Sequence, residues 1–390
     1  MSGVNLTAAT RQNLLSLQDT ASLTATTQNR LSTGLKVSSA LDNPINFFTS
    51  QSLNQRSGDL SSLLDGISNG VQAIQAANQG ITSIQKLVDS AKSVANQALS
   101  TQITTTGTAT NEYVPASAGA VDLYVNGTAK NVPIAANDTI DVAIGKLNTA
   151  VGAGSFSKST DGKKIVMNAA ADIEFKTAGD QTKLGFAAGT GTGPDYGTAN
   201  TTVGQSGDLA VNGVSARKSL ADQYNSLLTQ IDQLAQDASF NGTNLIAGAG
   251  DNNNLKINFN PNGNSNLTVT ATDTTSSGLK LNAITAGTTG TGNFLLNADI
   301  NTTLNSISKA SSTLRSAAST FGSNLSVVQN RQDFSKNLIN ILDTGSSNLT
   351  SADLNAEAAN SQALSTRQSL GISALSLANQ AQQGILQLLR

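Results

Sequence analysis

Apolar and small residues recur at alternating steps of three and four at both ends of this 390-residue chain. Near the start the positions are Leu14, Leu17, Ala21, Thr24, Gln28, Leu31 and Leu35, and near the end Leu375, Ala378, Ile385 and Leu389. A 3.5-residue repeat winds a helix around other helices in a left-handed supercoil. The seams mix Ala, Ser, Thr and Gln with Leu and Ile, so each position buries little area. At about 25 cal/mol per Å² neither end sustains a helix unaided. Apolar residues also lie off the seam: Leu15 and Leu23 at one end, Ile372, Leu377, Leu386 and Leu388 at the other. A helix apolar on more than one face needs more than one partner. The two ends are therefore expected to be tied down by each other and by neighbouring copies, rather than closed into an intramolecular four-helix bundle. Leu14, Leu17, Ala21, Leu31, Leu35, Ile372, Leu375, Ala378, Ile385 and Leu389 form the candidate assembly interface.

Four long helical segments are expected. The first runs from about Leu6 to Leu35 and is broken by Gly34 and Asn43-Pro44, because the residue before a proline disfavours helix. The second runs from about Leu53 to Leu99, a rod of about 70 Å at ~1.5 Å per residue, with Ile67, Val71, Ile74, Ile81 and Val88 in register. The third runs from about Ser215 to Ala238 on Leu220, Tyr224, Leu227, Ile231 and Leu234, and Phe240-Asn241-Gly242 ends it with Gly242 as a left-handed cap. The fourth starts near Leu304, carries Leu314, Phe321, Leu325 and Val328, and is expected to break at Gly345 to Asn348. Ile67, Val71, Ile74, Ile81, Val88, Leu227, Ile231, Leu234, Leu314, Phe321, Leu325 and Val328 are the candidate core and lateral packing positions of these rods.

The stretch from about Thr101 to Gly207 is rich in Gly, Ala and Thr. Val121 to Val125, Asn126-Gly127 and Ala129 to Ile134 read as a hairpin with a two-residue turn. Asp138 is placed to cap a short helix carrying Ile140, Ile144 and Leu147. A second hairpin is expected around Asp161-Gly162, with Lys164 to Met167 and Ile173 to Phe175 as strands. A third β stretch, Leu255 to Phe259 and Leu267 to Thr272, turns at Asn260-Pro261-Asn262-Gly263. The fold class is mainly α: long terminal and inner coiled-coil helices, a β-hairpin and one small α+β insert.

Composition narrows the function. Charged residues are 12% of the chain, against a usual ~25%, and Asn, Gln, Ser and Thr take their place. Net charge is −2 with Lys and Arg scattered, which argues against nucleic acid and anionic membranes as partners. No apolar run reaches the ~18 residues of a spanning helix. There is no Cys, His or Trp, so thiolate chemistry, the usual neutral-pH base and the commonest metal ligands are missing. No carboxylate pair stands out as catalytic. The expectation is no enzyme, no cofactor and no metal. No compact apolar segment with a small-residue cleavage site follows the first basic residue, Arg11, so an extracellular role requires an export route without a cleaved leader.

At this point the residues carry a resemblance. Asn29-Arg30-Leu31-Ser32-Thr33-Gly34-Leu35-Lys36-Val37, Asp65-Gly66-Ile67-Ser68, Phe240-Asn241-Gly242 with Leu245, the Leu255 to Leu281 stretch, Ala378-Asn379-Gln380 and Leu388-Leu389-Arg390 together resemble a bacterial flagellin. Each motif is short; in order, at both ends of one chain, they are specific. The resemblance implies a division into 1–43 (N-terminal D0 helix and start of the spoke), 44–103 (first D1 part), 104–207 (outward α+β insert), 208–300 (second D1 part with hairpin), 301–346 (third D1 part) and 347–390 (C-terminal D0 helix). It implies an extracellular helical filament of identical subunits for swimming, with sister flagellins as possible co-subunits. It also implies type III export of the unfolded chain, helped by an export chaperone and met by cap and hook-junction proteins. A hook–filament junction adaptor is the alternative, which the hairpin and the Phe240-Asn241-Gly242 region disfavour. Many relatives carry outer domains after the hairpin, whereas here the module precedes the third rod. The family's innate immune receptor reads an Arg and a Glu on adjacent D1 helices; the matching positions here are Ser90 and Gln223, neither charged, with Lys86 and Lys92 nearby.

Overall fold

The computed structural model describes residues 8–115, 120–190, 204–248, 250, 253–285 and 294–388. Its helices are α1 (Ala8–Thr33), α2 (Pro44–Ser100), α3 (Ile140–Val151), α4 (Ala178–Lys183), α5 (Val214–Asp237), α6 (Asn297–Thr350) and α7 (Leu354–Leu388). Its strands are β1 (Thr104–Thr108), β2 (Val121–Val125), β3 (Thr128–Val132), β4 (Phe156–Lys158), β5 (Ile165–Ala169), β6 (Ile173–Phe175), β7 (Leu209–Asn212), β8 (Ser239–Phe240), β9 (Thr243–Asn244), β10 (Leu255–Asn258) and β11 (Asn266–Val269). Two compact units result: Met1–Ser68 with Asn258–Asn266 and Gln329–Arg390, and Asn69–Ile257 with Leu267–Val328. The division cuts within α2 and α6, not at their ends.

In the first unit α1 packs along α7. Gly34, at φ +70°, ends α1, and its amide donates to the Arg30 carbonyl at 2.8 Å. Asn43-Pro44 is a helix start rather than only a break. Pro44 takes the first helical position, where its missing N–H costs nothing, and the Asn43 side chain accepts from the Asn46 amide at 3.1 Å. So α2 begins at Pro44 rather than Leu53.

The expected break at Gly345 to Asn348 is absent, and α6 runs on to Thr350. Packing overrides the glycine here. A Cβ at Gly345 would sit 3.6 Å from Leu53, and Ser346 is buried with its hydroxyl 2.8 Å from that of Ser50. The chain turns instead at Ser351 to Asp353. There Leu35 and Ser351 form an antiparallel bridge, and the Asp353 carboxylate accepts from the Asn355 and Ala356 amides at 3.0 and 3.2 Å.

The helical core of the second unit contains Ile74, Ile81, Ile84, Val88, Tyr224, Ile231, Leu314 and Phe321, all buried. Glycines on α2 admit the loops that pack on it: a Cβ at Gly80 would lie 2.6 Å from Ile246 and 2.7 Å from Ala238. Gly242 does not cap α5, which ends at Asp237. Asn241 (φ +47°) and Gly242 (φ +78°) make the two-residue turn of the β8–β9 hairpin, whose mirror-type turn needs positive φ at both positions. The β10–β11 hairpin forms as expected.

The insert has two antiparallel sheets, ordered β4-β5-β1-β7 and β3-β2-β6. Leu123, Leu147, Phe156, Met167, Phe175 and Phe186 meet in its core. The β2–β3 hairpin turns at Asn126-Gly127 as expected, both at positive φ. Three details differ. The hairpin around Asp161-Gly162 pairs β5 with β4, and Ile173 to Phe175 joins the other sheet beside β2. Thr139 rather than Asp138 caps α3, because Asp138 is engaged by Lys146 and the Ala135 amide. Strands β1 and β7 complete the larger sheet.

Candidate assembly surfaces

Two polar contacts fix the base of the α1–α7 pair. Arg30 meets Glu357 at 3.1 Å, and the Lys36 amide donates to the Thr350 carbonyl at 2.7 Å. Just beyond, the Asp42 carboxylate accepts from the Ser38 and Ser39 amides, both at 2.9 Å. Those bonds, the Ser38 amide foremost, hold its pKa below the ordinary carboxylate value. They organise the link between α1 and α2.

Along the pair, Leu17, Leu31, Leu35, Leu375 and Ala378 are half-buried, while Leu14, Ala21 and Ile372 are exposed. The Ile385 side chain and Leu389 lie outside the described residues. One close approach is absent from the heptad pattern: a Cβ at Gly371 would lie 2.8 Å from Leu17 Cδ2. Thr10, Thr27 and Leu364 are buried residues of the pair that it also missed. Running the Leu375 repeat backwards in threes and fours reaches both Gly371 and Leu364, so the signal was present. Thr27 lies one residue before the expected Gln28 and three after Thr24.

This pair leaves much apolar surface uncovered. Leu15, Leu23, Leu370, Ile372 and Leu377 are exposed, as are Leu41, Ile45 and Phe48 after the α1 turn. Among the described residues, every large exposed apolar side chain except Val114, Val142 and Val327 belongs to the first unit. A monomer seldom exposes apolar residues so densely unless something covers them.

In the rods Ile67, Val71, Ile74, Ile81, Val88, Ile231, Leu314, Phe321 and Val328 are buried, whereas Leu227, Leu234 and Leu325 are half-buried. On α5 the buried stripe is Leu220, Tyr224, Leu228, Ile231 and Ala235. That corrects the expected Leu227 and Leu234. A straight helix has 3.6 residues per turn, so a buried face drifts off a strict heptad. Ser90 is exposed on α2, its hydroxyl donating to the Lys86 carbonyl at 3.0 Å, and Gln223 is exposed on α5.

One buried cation, unforeseen in the sequence, joins helix ends within the second unit. Arg217 on α5 donates to the Thr101 carbonyl (2.8 Å), the Phe294 and Leu295 carbonyls (3.1 and 2.8 Å) and Asn297 Oδ1 (2.8 Å). Burial lowers its pKa, and no carboxylate compensates it among the described residues. A cavity of about 430 Å³ lies beside it, lined by Leu99, Gln102, Asn126 and Asn297 among others. No group of three or more acidic side chains suited to a metal occurs among the described residues. No described helix is long and apolar enough to cross a membrane.

Paired terminal helices, a helical inner core and a small α+β module inserted between two of its helices define a coiled-coil protein with a large uncovered apolar face. The N-terminal helical region of bacterial flagellin matches residues 4–113, and its C-terminal helical region matches residues 304–389. Together they cover half the chain, and the chain belongs to the bacterial flagellin family. It is similar to the flagellins FljM and FljK of Caulobacter vibrioides, 30% identical over 183 and 188 residues. Each match takes in 47% of this chain and 63% of the relative, so the chain spans less than two thirds of the length of these relatives. It is also similar to flagellin C of Rhizobium meliloti, 39% identical over 77 residues, 20% of this chain and 24% of that relative.

Proposed function

We propose that this chain is a structural subunit that polymerises with itself, and with sister flagellins, into an extracellular helical filament for swimming. The observation that carries this reading is the uncovered apolar surface of the first unit, on helices in the family-matched regions. Unlike patches of one copy meeting on the next make heterologous contacts that do not close, and these generate an open helix. In this reading the paired ends, 1–43 and 347–390, form the inner layer. The rods of 44–103, 208–300 and 301–346 form the tube around it, and the insert, 104–207, faces outward.

Export as an unfolded chain through the flagellar type III channel belongs to the same proposal. The chain has no cysteine, so no disulfide obstructs threading. An export chaperone, cap and hook-junction proteins are the further partners proposed from family resemblance.

The test is electron microscopy of purified protein under polymerising conditions, beside a chain lacking Gly371 to Arg390. Long filaments are expected from the full chain. The shortened chain should form none, with its inner helices still folded by circular dichroism. Long filaments from the shortened chain would refute two-ended assembly. Failure of the full chain to grow beyond short oligomers would favour the junction-adaptor reading instead.

A further inference from the structure

The insert carries two acidic side chains that its packing does not explain. Asp172 and Glu174 lie on the same face at the start of β6, at 3% and 1% exposure. Their neighbours Ile173 and Phe175 point into the insert core from the opposite face. Read as two carboxylates, the pair leaves Asp172 Oδ1 and both Glu174 oxygens without a donor. Yet the two side chains, two residues apart on one face of the strand, are close enough to shift each other's protonation. Only a proton held between them makes that contact favourable.

Among the described residues no cation pairs with either acid. Tyr124 of β2 is the cross-strand neighbour of Glu174. Lys176, next on the same face, extends to Asp122 at 3.4 Å. On α4, Lys183 pairs with Asp180 at 3.0 Å. From β1 and the segment after residue 203, the groups packed on β6 are uncharged. Thr105 accepts from the Ile173 amide and donates to the Ala171 carbonyl at 3.0 and 2.7 Å, and Gln205 donates to the Ile173 carbonyl at 3.1 Å. These side chains fasten the edge of β6 that no described strand covers.

We propose that Asp172 and Glu174 form a proton-dependent latch, in which one shared proton keeps β6 docked and its loss in alkali releases β6 and opens the insert core while the long helices stay folded. Burial raises Asp172 to about 7, and burial together with the neighbouring charge of Asp172 raises Glu174 to about 9. These are steps of the pair as a unit. With β6 released, both acids return to their ordinary values of 3.8 and 4.5. The docked form therefore holds more protons than the open form from about pH 4 to about pH 9. Opening is favoured as pH rises through that window and levels off above it. With one linked proton, the opening constant rises up to tenfold per pH unit between about 7 and about 9.

The latch is independent of assembly and is tested on the full-length chain by hydrogen exchange across that range, corrected for intrinsic rates. Amides of β2 and β6 are expected to lose protection up to tenfold per unit, with α2, α5 and α6 unchanged. Glu174→Gln keeps a hydrogen-bond donor to Asp172 and removes the proton that is lost, so its profile should be flat between pH 7 and 9. An equal slope in Glu174→Gln and wild type, or parallel loss of protection in the helices, overturns the proposal. Infrared spectroscopy of the wild-type chain decides independently of whether the variant folds. A protonated, buried carboxyl band at pH 7 that fades by pH 10 is expected, and its absence at pH 7 overturns the latch.

Discussion

Replacing Leu377 by Asn separates assembly from subunit stability. Leu377 lies on α7 and is 69% exposed. Fully burying a leucine is worth about 1.5–3 kcal/mol, so covering its exposed part with a neighbour contributes about 1–2 kcal/mol. Asparagine forfeits that and brings an amide whose burial without a partner costs about 1–3 kcal/mol. Together about 2–5 kcal/mol is lost per contact, roughly 30- to 4,000-fold in the association constant at ~1.4 kcal/mol per decade. In the free subunit both side chains face water, and the change is a difference in helix propensity of about half a kcal/mol. Sedimentation of polymer against a concentration series reads the critical concentration, and thermal melting of unpolymerised protein reads stability. The expected result is a critical concentration at least 30-fold higher with an almost unchanged melting temperature, and near-normal assembly for Leu377→Met. Polymerisation of Leu377→Asn at the wild-type critical concentration would show that this face of α7 is not an interface.

Gly80→Val forces a branched side chain against Ile246 and Ala238, where even a Cβ lies within 2.7 Å; a loss of about 1–3 kcal/mol is expected from the urea midpoint. Exchanging residues 104–207 for a short Gly/Ser linker should retain filaments of smaller diameter, and loss of assembly with α2 and α5 still folded would assign lateral contacts to the insert. On the family resemblance, uncharged Ser90 and Gln223 should make the protein a weak agonist of the innate flagellin receptor. Two lost contacts of about 1–3 kcal/mol each amount to roughly 30- to 20,000-fold. A reporter-cell assay on endotoxin-free monomer checks this, and half-maximal activation at a strong agonist's concentration would contradict it.

The long helices were legible because Leu and Ile carry their repeat over many turns, as Ile67, Ile74, Ile81 and Val88 do on α2. Their ends were not. Gly345 reads locally as a breaker, and only the approach of Leu53 and the Ser50–Ser346 contact, nearly three hundred residues apart in sequence, keep it helical. Strand β1 was invisible because Thr-Thr-Thr-Gly-Thr has no apolar alternation; its burial comes from lying between β5 and β7. The partner of β6 was ambiguous because a three-residue strand with only Ile173 and Phe175 as apolar side chains fits either sheet equally. On the terminal pair Leu364 and Gly371 were readable by extending the heptad, but Gly371 offers no side chain to register as a seam position. The Asp172–Glu174 pair was unreadable for the opposite reason. Acidic residues alternating with Ile173 and Phe175 look like the solvent face of a strand, and only the fold covers them.

The terminal helices also explain why so little charge is present. On α1, Thr20 and Thr24 donate to the Ser16 and Thr20 carbonyls, both at 2.7 Å. On α7, Thr366, Ser369 and Ser373 donate to the carbonyls four residues back at 3.0, 3.0 and 2.9 Å. Such back-bonding slightly weakens an isolated helix. It also means that these hydroxyls bring their donor already satisfied. A lysine or glutamate in the same place would keep its full hydration and resist being covered, at a cost of several kcal/mol unless paired. In the proposed filament nearly every face of α1 and α7 meets another helix, so few positions remain where a solvated charge is tolerated. Within α1 the charges are Arg11, Asp19 and Arg30, and within α7 they are Glu357 and Arg367. One from each helix, Arg30 and Glu357, are paired. Exposed leucines beside self-satisfied hydroxyls thus make a surface that is inexpensive to bury in the proposed filament.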